Sequence, residues 1–287
     1  MNDNLINNGL IILDKPGGHT SHEISAYVKA ICGSRRSGHA GTLDPNVSGV
    51  LPIALGRATK LLQYIAGEDK TYVGLIKFRN IQTKDDIESY FERFSGEIIQ
   101  TPPKMSAVRR RPRKRIVHYF NLLEISPENP RLALFEAKVG AGTYIRTLCS
   151  EVGALCGGAR MEELRRTAVG KINENQSHKM DELIDAMWLW KNKKDSSMLE
   201  RIIVPAQKYI FFPKVIVKDS VIDSIRSGAQ IMVPGVLEIE KSAERGEHVA
   251  IYSEGKQFLG IGIAQINWHD LEEKKRGIAF KLERVHI

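Results

Sequence analysis

The chain changes texture near residue 210, and that change constrains the fold more than any single motif. Before it, short apolar runs alternate with helical periodicities; after it, brief alternating runs are broken by Gly and Pro turns. Residues 9–14, GLIILD, end at KPGG, the pattern of a buried strand closed by a turn. Thr20-Ser-His-Glu23 has capping-box spacing, and Ile24, Tyr27, Val28 and Ile31 then recur at helical intervals on one face. A second helix is expected over roughly 57–66, stopped by Gly67. KTYVGLIKFR (70–79) alternates, placing Tyr72, Gly74, Ile76 and Phe78 on one side of a strand. ALFEAKV (133–139) predicts another strand, and GAG leads into a helix from about Tyr144 whose core stripe includes Cys149 and Cys156. A further helix is expected near 180–190. Beyond Phe212 a short helix over about 219–227 precedes HVAIYSEGKQFLGIGIA, a hairpin around Glu254 and Gly255. The expected class is α+β. A mixed-sheet domain with flanking helices covers residues 1–210, and a small C-terminal β-barrel covers 211–287.

Charge divides the same way. The formal net charge is +8, yet residues 213–287 hold eleven basic and eleven acidic side chains, so the whole excess lies in the first part. A basic balance points to a polyanion such as nucleic acid. The first part would supply long-range attraction and the second would act by shape and specific contacts. No apolar run is long enough for a membrane span, and the first residues do not read as a signal peptide. Three cysteines without CxxC spacing predict buried free thiols rather than disulfides or a zinc site.

One loop stands out, 38-GHAGTLDPNVSG-49. Pro45 biases Asp44 toward an extended, locally fixed backbone, and Gly38 and Gly41 leave room for a ligand to approach. An aspartate there is ionised at neutral pH and suits a nucleophile or an anchor; a turn aspartate bonding its own backbone is the alternative. Arg146 falls in the first turn of its helix, where the dipole disfavours a cation, so a carboxylate partner would explain it. Tyr72 and His39 are aromatic faces on which an unpaired base could stack, or else core and loop residues. The run 109-RRRPRKR-115 contains Arg109, Arg110, Arg111, Arg113, Lys114 and Arg115. Such a run repels itself and is expected to be mobile until phosphates neutralise it.

Together these pieces resemble the TruB/dyskerin family of pseudouridine synthases. The resemblance rests on GLIILDKPGGHTSHEI, GHAGTLDPNVSGVLPIALGRATKLLQYI, KTYVG, GTYIRTL and ELRRTAVG, and covers nearly the whole chain. It implies that Asp44 is the nucleophile, Arg146 its ionic partner and Tyr72 the residue that stacks on the target uracil. Tyr144 and Leu164 would line the pocket, and His39 would hold the RNA with the base flipped out. GAQIMVPGV, RGEHVAI and GIAFKLERV are similar to PUA domains, which implies RNA contacts at Gly228, Pro234 and Gly235. The implied reaction is isomerisation of uridine to pseudouridine in RNA, with no cofactor and no metal.

The compact segment FRNIQTKDDIESYFERFSGEIIQ, followed by PPKMSAVRRRPRKRIVHYF, resembles the archaeal and eukaryotic branch. That branch is the catalytic subunit of H/ACA guide RNA particles. The resemblance implies guide RNA, substrate rRNA or tRNA and small accessory proteins as partners, and no membrane. Without the lysine-rich tail of eukaryotic members, it implies an archaeal-type, cytoplasmic protein; a eukaryotic one would be nucleolar. Two alternatives remain: a stand-alone synthase for the tRNA T-loop, and a non-catalytic RNA-binding scaffold.

Overall fold

The computed structural model describes residues 2–103, 109–271 and 273–286, so residues 104–108 of the PPKMSAV stretch lie outside it. The chain separates into two compact units, residues 1–204 and 205–287.

The first unit runs α1 (Asn2–Asn8), β1 (Gly9–Lys15), α2 (Ser21–Cys32), β2 (Ser37–His39), β3 (Ser48–Leu55), α3 (Leu62–Ala66), β4 (Lys70–Phe78), α4 (Lys84–Glu92), β5 (Gly96–Gln100), β6 (Arg113–Ile125), β7 (Leu132–Val139), α5 (Ile145–Leu155), β8 (Ala159–Val169), β9 (Ile172–Asn173), α6 (Met180–Lys193) and α7 (Ser197–Ile202). Its strands lie in the order β1-β3-β8-β4-β7-β6-β5, with β2 beside β3 and β9 beside β8. The sheet is mixed because β3 and β8 pair in parallel while β4 is antiparallel to both β7 and β8.

Local chemistry accounts for the main elements. Thr20 caps α2, and its capping box with Glu23 is complete. Thr83 and Asp86 form the same device on α4, whose Phe91 stacks on Phe120 at 3.7 Å between ring centroids. Burying rings of this kind contributes about 2–3 kcal/mol each, which fastens α4 to the sheet. The predicted α-helix over 57–66 is instead a 3-10 segment, Gly56–Leu61, continuing into α3. The Thr59 hydroxyl donates to the Gly56 carbonyl at 2.8 Å, in keeping with the tighter three-residue turn. The basic run is corrected in part as well. Arg113, Lys114 and Arg115 open β6, paired to β5 at Gln100, Ile99 and Ile98, so these three are ordered strand residues. Lys114 gains Glu97 as a partner at 2.9 Å, which offsets one of the run's six positive charges.

The second unit is a six-stranded sheet in the order Ile231–Met232, Ile278–Val285, Phe258–Ala264, His248–Ser253, Lys214–Val217, Val236–Ile239. Its two end strands are separated by the three residues Val233–Gly235. A sheet whose edges are that close in sequence must curl upon itself, which gives the near-barrel shape. The hairpin around Glu254 and Gly255 is present. The predicted helix begins as a 3-10 turn, Asp219–Val221, before Ile222–Arg226. Val215, Val217, Val249, Ile251, Leu259, Ala279 and Phe280 form its core.

Candidate active site

The loop between β2 and β3 carries Asp44, and buried polar groups fix its backbone. Lys15, fully buried at the end of β1, donates its ammonium to the carbonyls of Pro16, Pro45 and Val47 at 2.8–2.9 Å. Ser21, in the first turn of α2, accepts the Leu43 N–H at 2.8 Å and donates to the Leu43 carbonyl at 3.2 Å. Arg166 on β8 is 1% exposed and donates to the carbonyls of Val50 at 2.8 Å and Gly41 at 3.0 Å. Gly41 has φ +84°, and a side chain there would sit 3.2 Å from the Arg166 guanidinium, so both backbone and space call for glycine.

Asp44 Oδ2 meets Arg146 Nη2 in a direct ion pair. The two residues are 102 positions apart, and both side chains are a little under half exposed. The pair stands at a cavity of about 470 Å³, walled by Tyr72, Tyr144, Leu164, Lys70 and Arg166 besides Asp44 and Arg146. A register shift between Thr71 and Tyr72 sets Tyr72 opposite Arg166, while Gly74 stands opposite Leu164. Bulges of this kind re-aim side chains beside sites. A side chain on Gly74 would come within 2.7 Å of Leu164 and 2.6 Å of Phe135. That strand position must stay bare for Leu164 to occupy the wall.

The cavity is rich in positive charge. Burial and then the like charge of Arg166 push Lys70 down to about 8; its ammonium donates to the carbonyls of Ala66, at 2.6 Å, and Glu68. Burial lowers Lys15 also, with Arg166 adding to the shift and Asp44 opposing it. Burial is likewise the main cause lowering Arg166. A low-dielectric wall bearing several cations attracts an anionic ligand more strongly than the same charges would in water.

The structure therefore brings five of the six synthase residues expected from sequence to one cavity: Asp44, Arg146, Tyr72, Tyr144 and Leu164. His39 is not in its wall. It lies half-buried on β2 opposite Ile53, with burial and the Arg166 charge lowering its imidazole. Arg109, Arg110 and Arg111 are exposed, and Arg115 reaches the Gly142 carbonyl at 2.9 Å. In the second unit Gly228 and Pro234 are exposed, whereas Gly235 is buried and its carbonyl accepts the Lys218 N–H at 2.9 Å. Lys15, Ser21, Lys70 and Arg166 are site residues that the sequence motifs do not single out. The signal for two of them was strand parity: Lys70 shares a face with Tyr72, and Arg166 with Leu164.

Comparison with known proteins matches residues 29–145 to the N-terminal domain of TruB family pseudouridylate synthases, 146–210 to the tRNA pseudouridylate synthase B C-terminal domain, and 213–286 to a PUA domain. A probable tRNA pseudouridine synthase B of Pyrobaculum aerophilum is 39% identical over 278 residues, spanning 96% of this chain and 83% of the relative. The chain belongs to the TruB family. This synthase is also similar to a chain of a Cbf5-Nop10-Gar1 complex, with TM-score 0.91 and 39% identity over all of this chain and 87% of the other. The structure of an H/ACA RNP bound to a substrate RNA containing 2'-deoxyuridine has a chain with TM-score 0.90 and 38% identity, covering 99% of the synthase and 87% of that chain. The synthase is an RNA uridine isomerase with an α+β catalytic portion and a PUA domain.

Proposed function

We propose that the protein converts uridine to pseudouridine in rRNA or tRNA as the catalytic subunit of an H/ACA guide RNA–protein particle. The observation that carries this reading is the similarity, along the full chain at TM-score 0.91, to the Cbf5-Nop10-Gar1 structure. Guide RNA and small accessory proteins of the Nop10 and Gar1 kind are then its partners, and an archaeal-type location in the cytoplasm belongs to the same reading. No helix among the described residues is long and apolar enough to cross a membrane.

In this reading Asp44 is the nucleophile. The uracil N1–C1′ bond breaks, the base turns in the cavity, and a C5–C1′ bond forms; C5 loses a proton and N1 gains one, so no redox partner is required. The target base is flipped out of its stack to reach Asp44, at a cost of a few kcal/mol. Tyr72 stacks on the base and Leu164 and Tyr144 close the wall. Arg146 holds the carboxylate charged and oriented, as a guanidinium does in a fixed ion pair. The exposed Arg109, Arg110 and Arg111 bind phosphates, and the PUA domain grips the guide RNA around Gly228 and Pro234.

A second reading, the stand-alone tRNA enzyme, is favoured by the name of the Pyrobaculum relative. Purified protein is incubated with a tRNA T-loop and, separately, with an rRNA fragment, guide RNA and accessory proteins. Strict dependence of rRNA modification on the guide supports the particle subunit. Turnover of the tRNA alone, with none in the guided assay, overturns it in favour of the stand-alone enzyme.

A further inference from the structure

Outside the cavity wall, two buried polar side chains each hold a backbone residue near one member of the ion pair. Ser21 holds Leu43, beside Asp44, through both its N–H and its carbonyl. Gln100, at the end of edge strand β5 and only 1% exposed, does the same for Tyr144. Its Oε1 accepts the Tyr144 N–H at 3.0 Å, while its Nε2 donates to the Tyr144 carbonyl at 3.3 Å and to Glu151 Oε2 at 3.5 Å.

Tyr144 is the N-cap of α5 and makes no side-chain capping bond of its own. Its carbonyl also accepts the Leu148 N–H at 3.0 Å, the bond that starts the helix. Arg146 lies two residues later, so the placement of Tyr144 decides where the guanidinium meets Asp44. The preceding residues rest on β6, the strand paired with β5. Gly140 N–H donates to Ile116 at 2.8 Å, and Arg115 Nε donates to Gly142 at 2.9 Å. The basic stretch enters β6 at Arg113, the residue paired with Gln100.

We infer that Gln100 is a positioning residue for the isomerisation: its carboxamide fixes the start of α5 and thereby the Arg146–Asp44 geometry and the Tyr144 wall. Gln100 is not in the cavity wall and acts through Tyr144. A carboxamide accepts and donates at once, which one backbone residue bonded in both directions requires. A small misplacement of a reacting group lowers the rate steeply. The inference rests on reading Asp44 and Arg146 as the reacting pair.

The test uses the full chain on whichever substrate the wild type turns over, in single-turnover assays at saturating RNA. Gln100→Met fills the space but neither accepts nor donates as an amide does. Its rate constant should fall roughly ten- to hundredfold, with RNA affinity within about twofold of wild type. Gln100→Glu accepts when ionised but regains a donor when protonated, so its rate relative to wild type should rise several-fold as pH falls from about 8 to about 5.5. A Gln100→Met rate within about twofold of wild type, or a loss confined to RNA affinity, overturns the inference. If Gln100→Met does not fold, the pH profile of Gln100→Glu decides, and a flat ratio overturns it. A wild type that turns over neither substrate overturns the reading of Asp44 and Arg146 beneath it.

Discussion

The two units solve the problem of an interior in opposite ways. Among the described residues, seven buried polar or charged side chains lie in the first unit, and Ser253 alone in the second. Lys15, Ser21, Lys70, Gln100 and Arg166 all bond to backbone carbonyls or amides close to the cavity. The second unit packs aliphatic and aromatic residues across a curled sheet. The difference teaches that the first unit accepts the desolvation of polar groups in order to fix the loops that bear Asp44 and Arg146. The second unit has no such loops to hold, so its recognition chemistry belongs on its surface.

The sharpest break of this contrast is Asp44→Ala. Pseudouridine formation should fall at least about a thousandfold while RNA affinity changes less than about threefold. Turnover by the variant within about a hundredfold of wild type in a single-turnover assay refutes the nucleophile assignment.

Next comes the polar interior itself. Lys70 falls from 10.5 to about 8 on folding. Between those values the unfolded chain keeps a proton that the folded chain has released, so this group's contribution to stability rises with pH. Below about 8 the cost of burying the ammonium is fully present. Denaturant unfolding of wild type and Lys70→Met should diverge across that window, the wild type gaining up to about 3 kcal/mol relative to the variant. Parallel curves remove Lys70 from the charged wall.

Replacing Arg109, Arg110 and Arg111 with Gln should flatten the slope of log affinity against log salt by about 2. An unchanged slope makes them a solvated loop, and the charge asymmetry between the units loses its meaning for binding. The smallest effect belongs to the apolar interior. Ile251→Val should cost about 1 kcal/mol in thermal or denaturant unfolding and leave turnover untouched. A loss of turnover there would couple the second core to catalysis.

Much of this is legible in the amino-acid sequence. The Thr20–Glu23 spacing, the alternation of 70–78 and the helix after Tyr144 are local patterns; local bonds complete the first, while the strand and the start of the helix also take distant partners. Asp44 stands out for the glycines and proline around it, and Arg146 because a cation in the first turn of a helix goes against the dipole. Lys15, Lys70 and Arg166 do not stand out, because a charge in sequence reads as solvent-facing, and only tertiary carbonyls make its burial tolerable. Gln100 was silent for a related reason. Its partners lie 44 and 51 residues away, beyond any periodicity. The strand status of Arg113–Arg115 was equally hidden, since it depends on β5 supplying both a hydrogen-bonding edge and Glu97.

The distance along the chain between Asp44 and Arg146 has a consequence in time. At synthesis speeds of about 5–20 residues per second, the carboxylate emerges roughly 5–20 seconds before its guanidinium. Arg165 and Asp14, which pair at 2.9 Å, are 151 positions apart. A nascent chain therefore carries its reactive loop without its partner while the next 102 of its 287 residues are made, and contacts of such high order form slowly. The site cannot close until Arg166, the last residue of its wall, has been made, and the whole second unit is made after it.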